Sequence, residues 1–175
     1  MICKTQINLK SKYEAENIKN EQNLKSTIRF FGIKDLNGVM DIERQSFKHP
    51  WSSNMFKALH QITPKGFYVA IIDETIVGYA IFLTEQSWRH WSRIRTAHLL
   101  NLAVHPNFRN KGIGKHLVNK IISDIRRSEI EEIYLEVRAS NTNAITFYKK
   151  LKFGTIGMIN LFYGDEDAIV MAKRV

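Results

Sequence analysis

The segment 109–115, with the sequence RNKGIGK, places two glycines and three basic residues in one short turn. A mostly apolar run ending at Val104 precedes it, and apolar residues at helical spacing follow it. The first backbone N–H groups of a helix lack intrahelical partners and lie at the positive end of the helix dipole, where they bind phosphate. Gly112 and Gly114 would let the backbone approach such an anion closely. The segment therefore predicts a pyrophosphate site, with an ordinary helix start as the alternative because the pattern is short.

Two further side chains, Glu136 and Tyr148, could move protons. The segment 131–139 alternates as a strand does, with aliphatic residues on one face and Glu136 on the other, beside Arg138. By pattern alone, an exposed carboxylate paired with Arg138 or with another neighbour is the favoured interpretation. The Tyr148 phenol can donate a proton, but it shares a helix face with Phe147, so a packing tyrosine is the alternative.

The elements that must position these groups form a mixed α/β domain over residues 27–175. Periodicity predicts helices within 34–47, 49–60, 112–128 and 141–151. Strands are predicted over 27–33, 97–104 and 131–139, in a hairpin over 66–84 that turns at 73–75, and near 153–162 and 166–174. The basic and aromatic segment 85–95 predicts a loop. This order favours one sheet with helices on its faces.

The chain has 175 residues, a formal net charge of +9 and one cysteine, Cys3. A single cysteine excludes an internal disulfide and favours a reducing compartment. No apolar run has the length of a membrane span, and the first residues lack the apolar core of a secretory signal. We therefore expect a cytoplasmic protein, or one of an organelle stroma if the N-terminus is a transit peptide. Residues 1–26 are polar and predict a flexible extension.

The positive charge leaves two interpretations open. It suits an anionic partner such as nucleic acid, the ribosome surface or a phosphate-bearing cofactor. A Lys-rich surface without a specific partner explains it equally well. A loop over the sheet edge is the favoured interpretation of segment 85–95, while its mixture of aromatic and basic groups would suit RNA or an acidic peptide; these groups are Trp88, His90, Trp91, Arg93 and Arg95.

Two longer segments carry a family resemblance. NLAVHPNFRNKGIGKHLVNKII, residues 101–122, resembles the acetyl-CoA motif of the GNAT N-acetyltransferases. YLEVRASNTNAITFYKKLKF, residues 134–153, resembles the following segment in the RimI group of that family, as do IERQSFKHPWS at 42–52 and EDAIVMA at 166–172. The resemblance covers about residues 28–175. It implies the GNAT fold, a mostly antiparallel sheet with helices on both faces and a splayed central strand pair that holds acetyl-CoA.

The resemblance also implies which residues contact this co-substrate. The glycine turn would hold the CoA pyrophosphate, and the backbone of the preceding strand would pair with the pantetheine arm. Asn141 would contact CoA and also cap the helix that follows it. The implied cofactor-binding residues are Leu102, Ala103, Val104, Arg109, Asn110, Lys111, Gly112, Ile113, Gly114, Lys115 and Asn141.

By the same resemblance, Glu136 accepts a proton and Tyr148 donates one during direct acetyl transfer to a protein α-amine. The implied acceptor is the N-terminal alanine of a small-subunit ribosomal protein. An α-ammonium has a pKa near about 7.7–8.0, against about 10.4 for lysine, so a carboxylate deprotonates a protein N-terminus more readily. Lysine side chains, other protein N-termini and small amines are alternative acceptors.

Two other classes of function are disfavoured. A non-catalytic module that binds acetyl-CoA or RNA would not need both Glu136 and Tyr148. A nucleotide triphosphate enzyme would need a P-loop, and the glycine turn lacks its Gly-Lys-Ser/Thr ending. The six histidines show no metal-ligand spacing, so we expect no metal.

The chain departs from the RimI pattern in three places. Lys152 stands where the family has a glycine after the helix, which predicts a strained or altered helix end. The segment 85–95 is longer than in the family, and 163–166 is shorter. The predicted acceptor groove lies around 85–95, Phe47–Trp51 and Tyr163, so the acceptor is where the resemblance is weakest.

Overall fold

The computed structural model describes residues 26–89 and 92–175. Within these residues the chain forms one seven-stranded sheet and four α-helices. The strands are β1 (Thr27–Phe30), β2 (Phe67–Ile72), β3 (Thr75–Arg89), β4 (Ser92–Val104), β5 (Glu132–Arg138), β6 (Gly154–Ile159) and β7 (Ala168–Arg174). The helices are α1 (Leu36–Ser46), α2 (Ser53–Ile62), α3 (Ile113–Ile125) and α4 (Thr142–Lys150). The predicted extension 1–26 lies outside the described residues except for Ser26, which is buried.

The sheet order is β1-β2-β3-β4-β5-β7-β6, and all neighbouring strands are antiparallel except β4 and β5. The parallel pairing is short, since it joins only Thr96–His98 to Glu132–Tyr134. Both strands continue past this point, with β4 reaching Val104 and β5 reaching Arg138. They therefore diverge, which produces the splayed central pair that the family resemblance implies.

Helices cover both faces of the sheet. Tyr68 and Ala70 of β2 pack into a core with α3, while Phe67 and Val69 of the same strand pack into a second core with α1 and α2. This split follows from the alternation of side chains along a strand. The buried stripe of α3 is the one predicted from four-residue spacing, namely Ile113, Leu117, Val118, Ile121, Ile122 and Ile125. No helix among the described residues is both long and apolar enough to cross a membrane.

The prediction of a loop over 85–95 is wrong. β3 and β4 form a long hairpin in which Glu85 pairs with Thr96 and Arg89 pairs with Ser92. Ile94 and Thr96 are buried, whereas Arg95 between them is exposed, so this part of β4 has the two-residue period of a strand. The high content of basic and aromatic residues concealed that period in the sequence. Residues 90–91 lie outside the described residues.

Helix α4 ends in the left-handed conformation that a glycine normally adopts there, although Lys152 occupies the position. Lys152 has φ of 69°, in the left-handed region. Its N–H donates to Lys149 O at 2.9 Å, and the N–H of Phe153 donates to Tyr148 O at 3.1 Å. These two bonds form a Schellman motif. Lys152 therefore accepts the left-handed conformation, and the chain direction after α4 is preserved.

Candidate functional site

A cleft of about 580 Å³ opens where β4 and β5 diverge. Leu99–Leu102 of β4 line one wall and Leu135–Arg138 of β5 line the other. The register of β4 shifts at Leu100, because Phe82 pairs with Leu99 whereas the neighbouring Ile81 pairs with Asn101. Such an extra residue bends a strand away from its neighbour and re-aims side chains. The cleft is thus a consequence of strand geometry, with an unpaired β4 edge along one side.

Glu136 lines this cleft, and its carboxylate is hydrogen-bonded to the imidazole of His98 on β4. The Glu136 Oε2 atom is 2.6 Å from His98 Nε2, and the two side chains are only 13% and 18% exposed. The contact arises because β4 and β5 end their parallel pairing with His98 opposite Tyr134, two residues before Glu136. Glu136 is therefore not exposed as the pattern suggested, and of the partners considered it is a neighbour, His98, and not Arg138 that pairs with it.

His98 is connected onward to a second carboxylate. Its Nδ1 atom is 3.4 Å from Glu85 Oε1, and Glu85 accepts a 2.7 Å hydrogen bond from the Tyr134 hydroxyl. The imidazole also stacks on the Tyr134 ring, with the centroids 4.3 Å apart. Burial by itself would lower the pKa of His98, but the hydrogen bonds and charges of Glu136 and Glu85 outweigh it and raise that pKa. The Glu85 carboxylate is 40% exposed, so the array leads from the cleft to solvent.

Tyr148 combines the two roles considered for it. Its ring packs in the core against Phe147 and Phe153, with centroids 5.0 Å and 5.5 Å away. The residue nevertheless lines the cleft, as Tyr163 does. Burial, and then the neighbouring Tyr163, raise the pKa of Tyr148. The phenol therefore stays protonated near neutral pH and is available as a proton donor.

The glycine turn has the backbone of an anion site. Asn110 and Gly112 have φ of 61° and 81°, and Gly112 is the N-cap of α3. No side chain of the described residues caps this helix start, so its first N–H groups have no intrahelical or side-chain acceptor. A Cβ built on Gly112 meets no atom within 4 Å, whereas one on Gly114 would lie 3.3 Å from Phe147 Cζ. The space at Gly112 and the free N–H groups suit a pyrophosphate, while Gly114 serves packing against α4.

The other predicted cofactor residues surround this turn and the cleft. Leu102 and Asn141 line the cleft, and the Asn141 side chain also caps α4 by accepting from Ala144 N at 3.1 Å. Ala103 and Val104 continue β4 towards the turn. Ile113 is buried, so only its backbone is available to a ligand. Lys111 and Lys115 follow in the turn and the first turn of α3.

Arg109, one of the implied cofactor-binding residues, already makes two hydrogen bonds within the chain. Its Nε donates to Val104 O at 3.0 Å, and its Nη2 donates to Ser46 Oγ at 3.1 Å. These bonds tie the end of β4 to the end of α1. Arg109 therefore helps to shape the turn, with part of its guanidinium already engaged.

A buried carboxylate that the sequence analysis missed supports the part of the cleft that is lined by α1 and the segment after it. Glu43 of α1 is 1% exposed and accepts from the backbone N–H of Trp51 at 2.8 Å. It also accepts a short hydrogen bond from the Tyr79 hydroxyl and a 3.4 Å bond from Asn101 Nδ2. Burial, followed by the charge and hydrogen bond of Glu43, raises the pKa of Tyr79. Glu43 thus joins α1, β3, β4 and the segment Phe47–Trp51 that lines the cleft.

The residues that sequence reasoning missed, His98, Glu85 and Glu43, share one property. Each is a polar residue within an otherwise buried or alternating segment. That position was the only feature of the sequence that could have marked these residues as part of the site. Their partners lie on other strands or helices, so local pattern could not pair them. Within residues 26–89 and 92–175, no group of three or more His, Cys, Asp and Glu side chains is arranged to hold a metal ion.

Comparison with known proteins places this geometry among related enzymes. The model of the acetyltransferase (GNAT) family matches residues 36–153. The N-alpha-acetyltransferase of Saccharolobus solfataricus is 31% identical over 153 residues, which cover 84% of this chain and 92% of that protein. The ribosomal protein bS18-alanine N-acetyltransferase of Escherichia coli is 28% identical over 161 residues, covering 86% and 98%. The crystal structure of Ard1 from Thermoplasma volcanium is similar with a TM-score of 0.77 and 31% identity, covering 86% of this chain and 97% of that one.

Proposed function

This chain belongs to the GNAT acetyltransferase family, and we propose that it transfers the acetyl group of acetyl-CoA to the α-amine of a protein N-terminus. The fold and the acetyltransferase class that the sequence predicted are confirmed. Relatives named for N-terminal acetylation, in Saccharolobus solfataricus and Escherichia coli, support the choice of acceptor. The observation that carries the proposal is the cleft itself, where Glu136 and Tyr148 face the opening between β4 and β5.

Acetyl-CoA supplies the activated acetyl group as a thioester. The uncapped N-terminus of α3 and the open space at Gly112 would hold its pyrophosphate, because both offer backbone N–H groups to an anion. The unpaired edge of β4 over Leu100–Val104 would pair with the pantetheine arm. Backbone N–H groups on that edge would also donate to the carbonyl oxygen as it gains negative charge.

Glu136 would remove the proton that makes the α-amine unreactive, either directly or through one water. His98 holds the carboxylate at 2.6 Å and can pass the proton on to Glu85, which reaches solvent. The amine would then attack the thioester carbonyl, forming the C–N bond as the C–S bond breaks. Tyr148, whose buried phenol stays protonated, would donate its proton to the departing thiolate.

An α-amine fits this machinery better than a lysine side chain. Its ammonium form has a pKa near about 7.7–8.0, so a carboxylate and an imidazole need to supply less driving force than for lysine at about 10.4. Within this class we propose the N-terminal alanine of a small-subunit ribosomal protein as the acceptor. The likeness to the Escherichia coli enzyme and the net charge of +9 support that choice.

A peptide panel tests the proposed function directly. One peptide begins Ala-Arg, a second is identical but has its α-amine blocked, and a third offers only a lysine side chain. We expect acetylation of the free N-terminus alone. Acetylation of the lysine peptide would place the enzyme in another branch of the family. Absence of transfer despite measurable CoA binding would overturn the choice of a peptide N-terminus as acceptor.

A further inference from the structure

We propose that Arg138 is a positioning residue that fixes the segment 161–167 as one wall of the acceptor groove. This inference rests on the proposed function, because it concerns how the acceptor peptide is bound. Arg138 is two residues beyond Glu136 on β5, and residues 161–167 lie between β6 and β7. The segment contributes Tyr163 and Asp165 to the lining of the cleft.

The guanidinium of Arg138 holds two carboxylates of the segment. Its Nη1 atom donates to Asp165 Oδ1 and to Glu166 Oε2, both at 3.0 Å. The hydrogen bonds from Arg138 lower the pKa of Asp165. At Glu166, the hydrogen bond from Ser140 comes first and that from Arg138 adds to it in lowering the pKa. Both carboxyl groups are therefore ionised at neutral pH, and their negative charges attract the Arg138 guanidinium.

Arg138 also sets the position of an aromatic ring in the cleft. Its Cζ atom lies 4.3 Å from the centroid of the Tyr163 ring. A cation over an aromatic face is attracted by the ring electrons, and the planar guanidinium stacks well there. Burial, and next the charge of Glu136, raise the pKa of Tyr163. The ring that Arg138 supports lines the same cleft as Glu136, so it would contact an acceptor bound there.

Backbone hydrogen bonds beside Arg138 attach the same segment to the end of β5 and order it internally. Ser140 N donates to Glu166 Oε1 at 2.6 Å, and Ala139 N donates to Asp167 O at 3.1 Å. Inside the segment, Leu161 N donates to Asp167 Oδ1 at 2.8 Å and Tyr163 N to Glu166 O at 3.1 Å. These bonds attach the segment to the end of β5, where Glu136 and the cap of α4 are located. A displaced segment would move the groove wall relative to Glu136.

The segment after α1 lines the same cleft as residues 161–167. Phe47, Lys48 and His49 line the cleft together with Tyr163 and Asp165. Lys48 is close enough to Asp165 to contribute, after Arg138, to lowering the pKa of that carboxyl. An acceptor peptide with its amine at Glu136 would contact Tyr163, because both residues line this cleft. The position of Tyr163 should therefore govern peptide affinity, while acetyl-CoA binding depends on the edge of β4 and the start of α3.

The test compares Arg138→Gln with wild type in steady-state transfer to whichever peptide of the panel the wild-type enzyme acetylates. We expect KM for the peptide to rise about tenfold, with kcat and KM for acetyl-CoA changed less than about twofold. Arg138→Lys should lie between the two, because an ammonium can replace Nη1 between the carboxylates but stacks less well on Tyr163. Arg126→Gln, which removes the same charge at the end of α3, is the control and should leave all three constants unchanged.

Hydrogen exchange supplies a readout that needs no acceptor. Amides of residues 161–167 should exchange faster in Arg138→Gln, while those of α3 remain protected. Should Arg138→Gln fail to fold, Asp165→Asn replaces it, because the Asp165 side chain is 69% exposed. Unchanged peptide KM, or an equal rise of both KM values, would overturn the positioning role while leaving the proposed function intact. A wild-type enzyme that acetylates no peptide would overturn both.

Discussion

His98 Nε2 and Glu136 Oε2 lie 2.6 Å apart, although the two residues are 38 positions apart in the chain. The contact exists because β4 and β5 run parallel for three residue pairs and then diverge. His98 therefore contacts the Glu136 carboxylate without occupying the cleft that Glu136 lines. This relationship turns a lone strand carboxylate into one end of an acid–base array.

Glu136→Gln should lower kcat by roughly 100-fold or more, because an amide cannot take the amine proton. Its shape can still accept a hydrogen bond from His98, so the fold should persist. Calorimetric titration with CoA should give an affinity close to wild type, since the turn at Gly112 is untouched. Wild-type turnover in this variant would remove Glu136 as the base.

His98→Gln should alter the pH dependence of stability. The pKa of His98 is raised above its ordinary value of 6.5 in the folded protein. The protonated imidazole therefore stabilises the fold fully below pH 6.5, and this contribution disappears as the pH rises through the folded pKa. The free energy of unfolding of wild type minus that of the variant should fall as the pH rises above 6.5 and through the raised pKa of His98. Glu85→Gln removes one of the two carboxylates that contact His98, so the same difference in unfolding free energy should fall less for this variant. A difference between wild type and His98→Gln that does not change with pH would contradict the ion pair.

Tyr148→Phe should slow the chemical step by roughly 100-fold, because the departing thiolate then lacks its proton donor. The ring contacts with Phe147 and Phe153 are retained, so the melting temperature should change little. Single-turnover kinetics separate the chemical step from product release and are the appropriate measurement. A wild-type rate would leave Tyr148 with its packing role alone.

Substitutions at Gly112 separate anion binding from backbone conformation. Gly112→Val should weaken CoA binding by crowding the pyrophosphate, and it should also destabilise the fold, because a left-handed φ costs most residues about 1–2 kcal/mol. Gly112→Asn tolerates that conformation better. We expect it to weaken CoA binding similarly, with a smaller loss of melting temperature. Normal CoA affinity in the Asn variant would show that no ligand group approaches Gly112.

Lys152→Gly should stabilise the protein by about 1 kcal/mol, since glycine adopts the left-handed conformation without the Cβ penalty. The Schellman bonds from Lys152 N and Phe153 N would be retained. Thermal unfolding measures the gain. Lys152→Ala is the matched control and should bring no comparable gain, because alanine keeps the Cβ. Equal melting temperatures for the Gly variant and wild type would show that the helix end carries no strain.

Local patterns in the sequence determined most of the fold and part of the site. The alternation of 131–139 placed Glu136 opposite the aliphatic face of β5, and the burial of that strand agrees. Four-residue spacing identified the buried stripe of α3, and the glycine turn indicated its uncapped start. These features repeat over a few residues, so backbone geometry and side-chain type suffice to predict them. The hairpin over 85–95 was missed because its composition masked the same two-residue period.

Only the tertiary structure decided which polar groups act together. The bonds of Glu136 to His98, of Glu43 to Tyr79 and of Arg138 to Glu166 join residues 38, 36 and 28 positions apart. Each depends on strand register or on helix docking across the sheet. A shift of one residue in the register would turn every side chain of a strand to the other face. The sequence could therefore name Glu136 as a candidate base, but its hydrogen-bonding partner was set by the packing of β4 against β5.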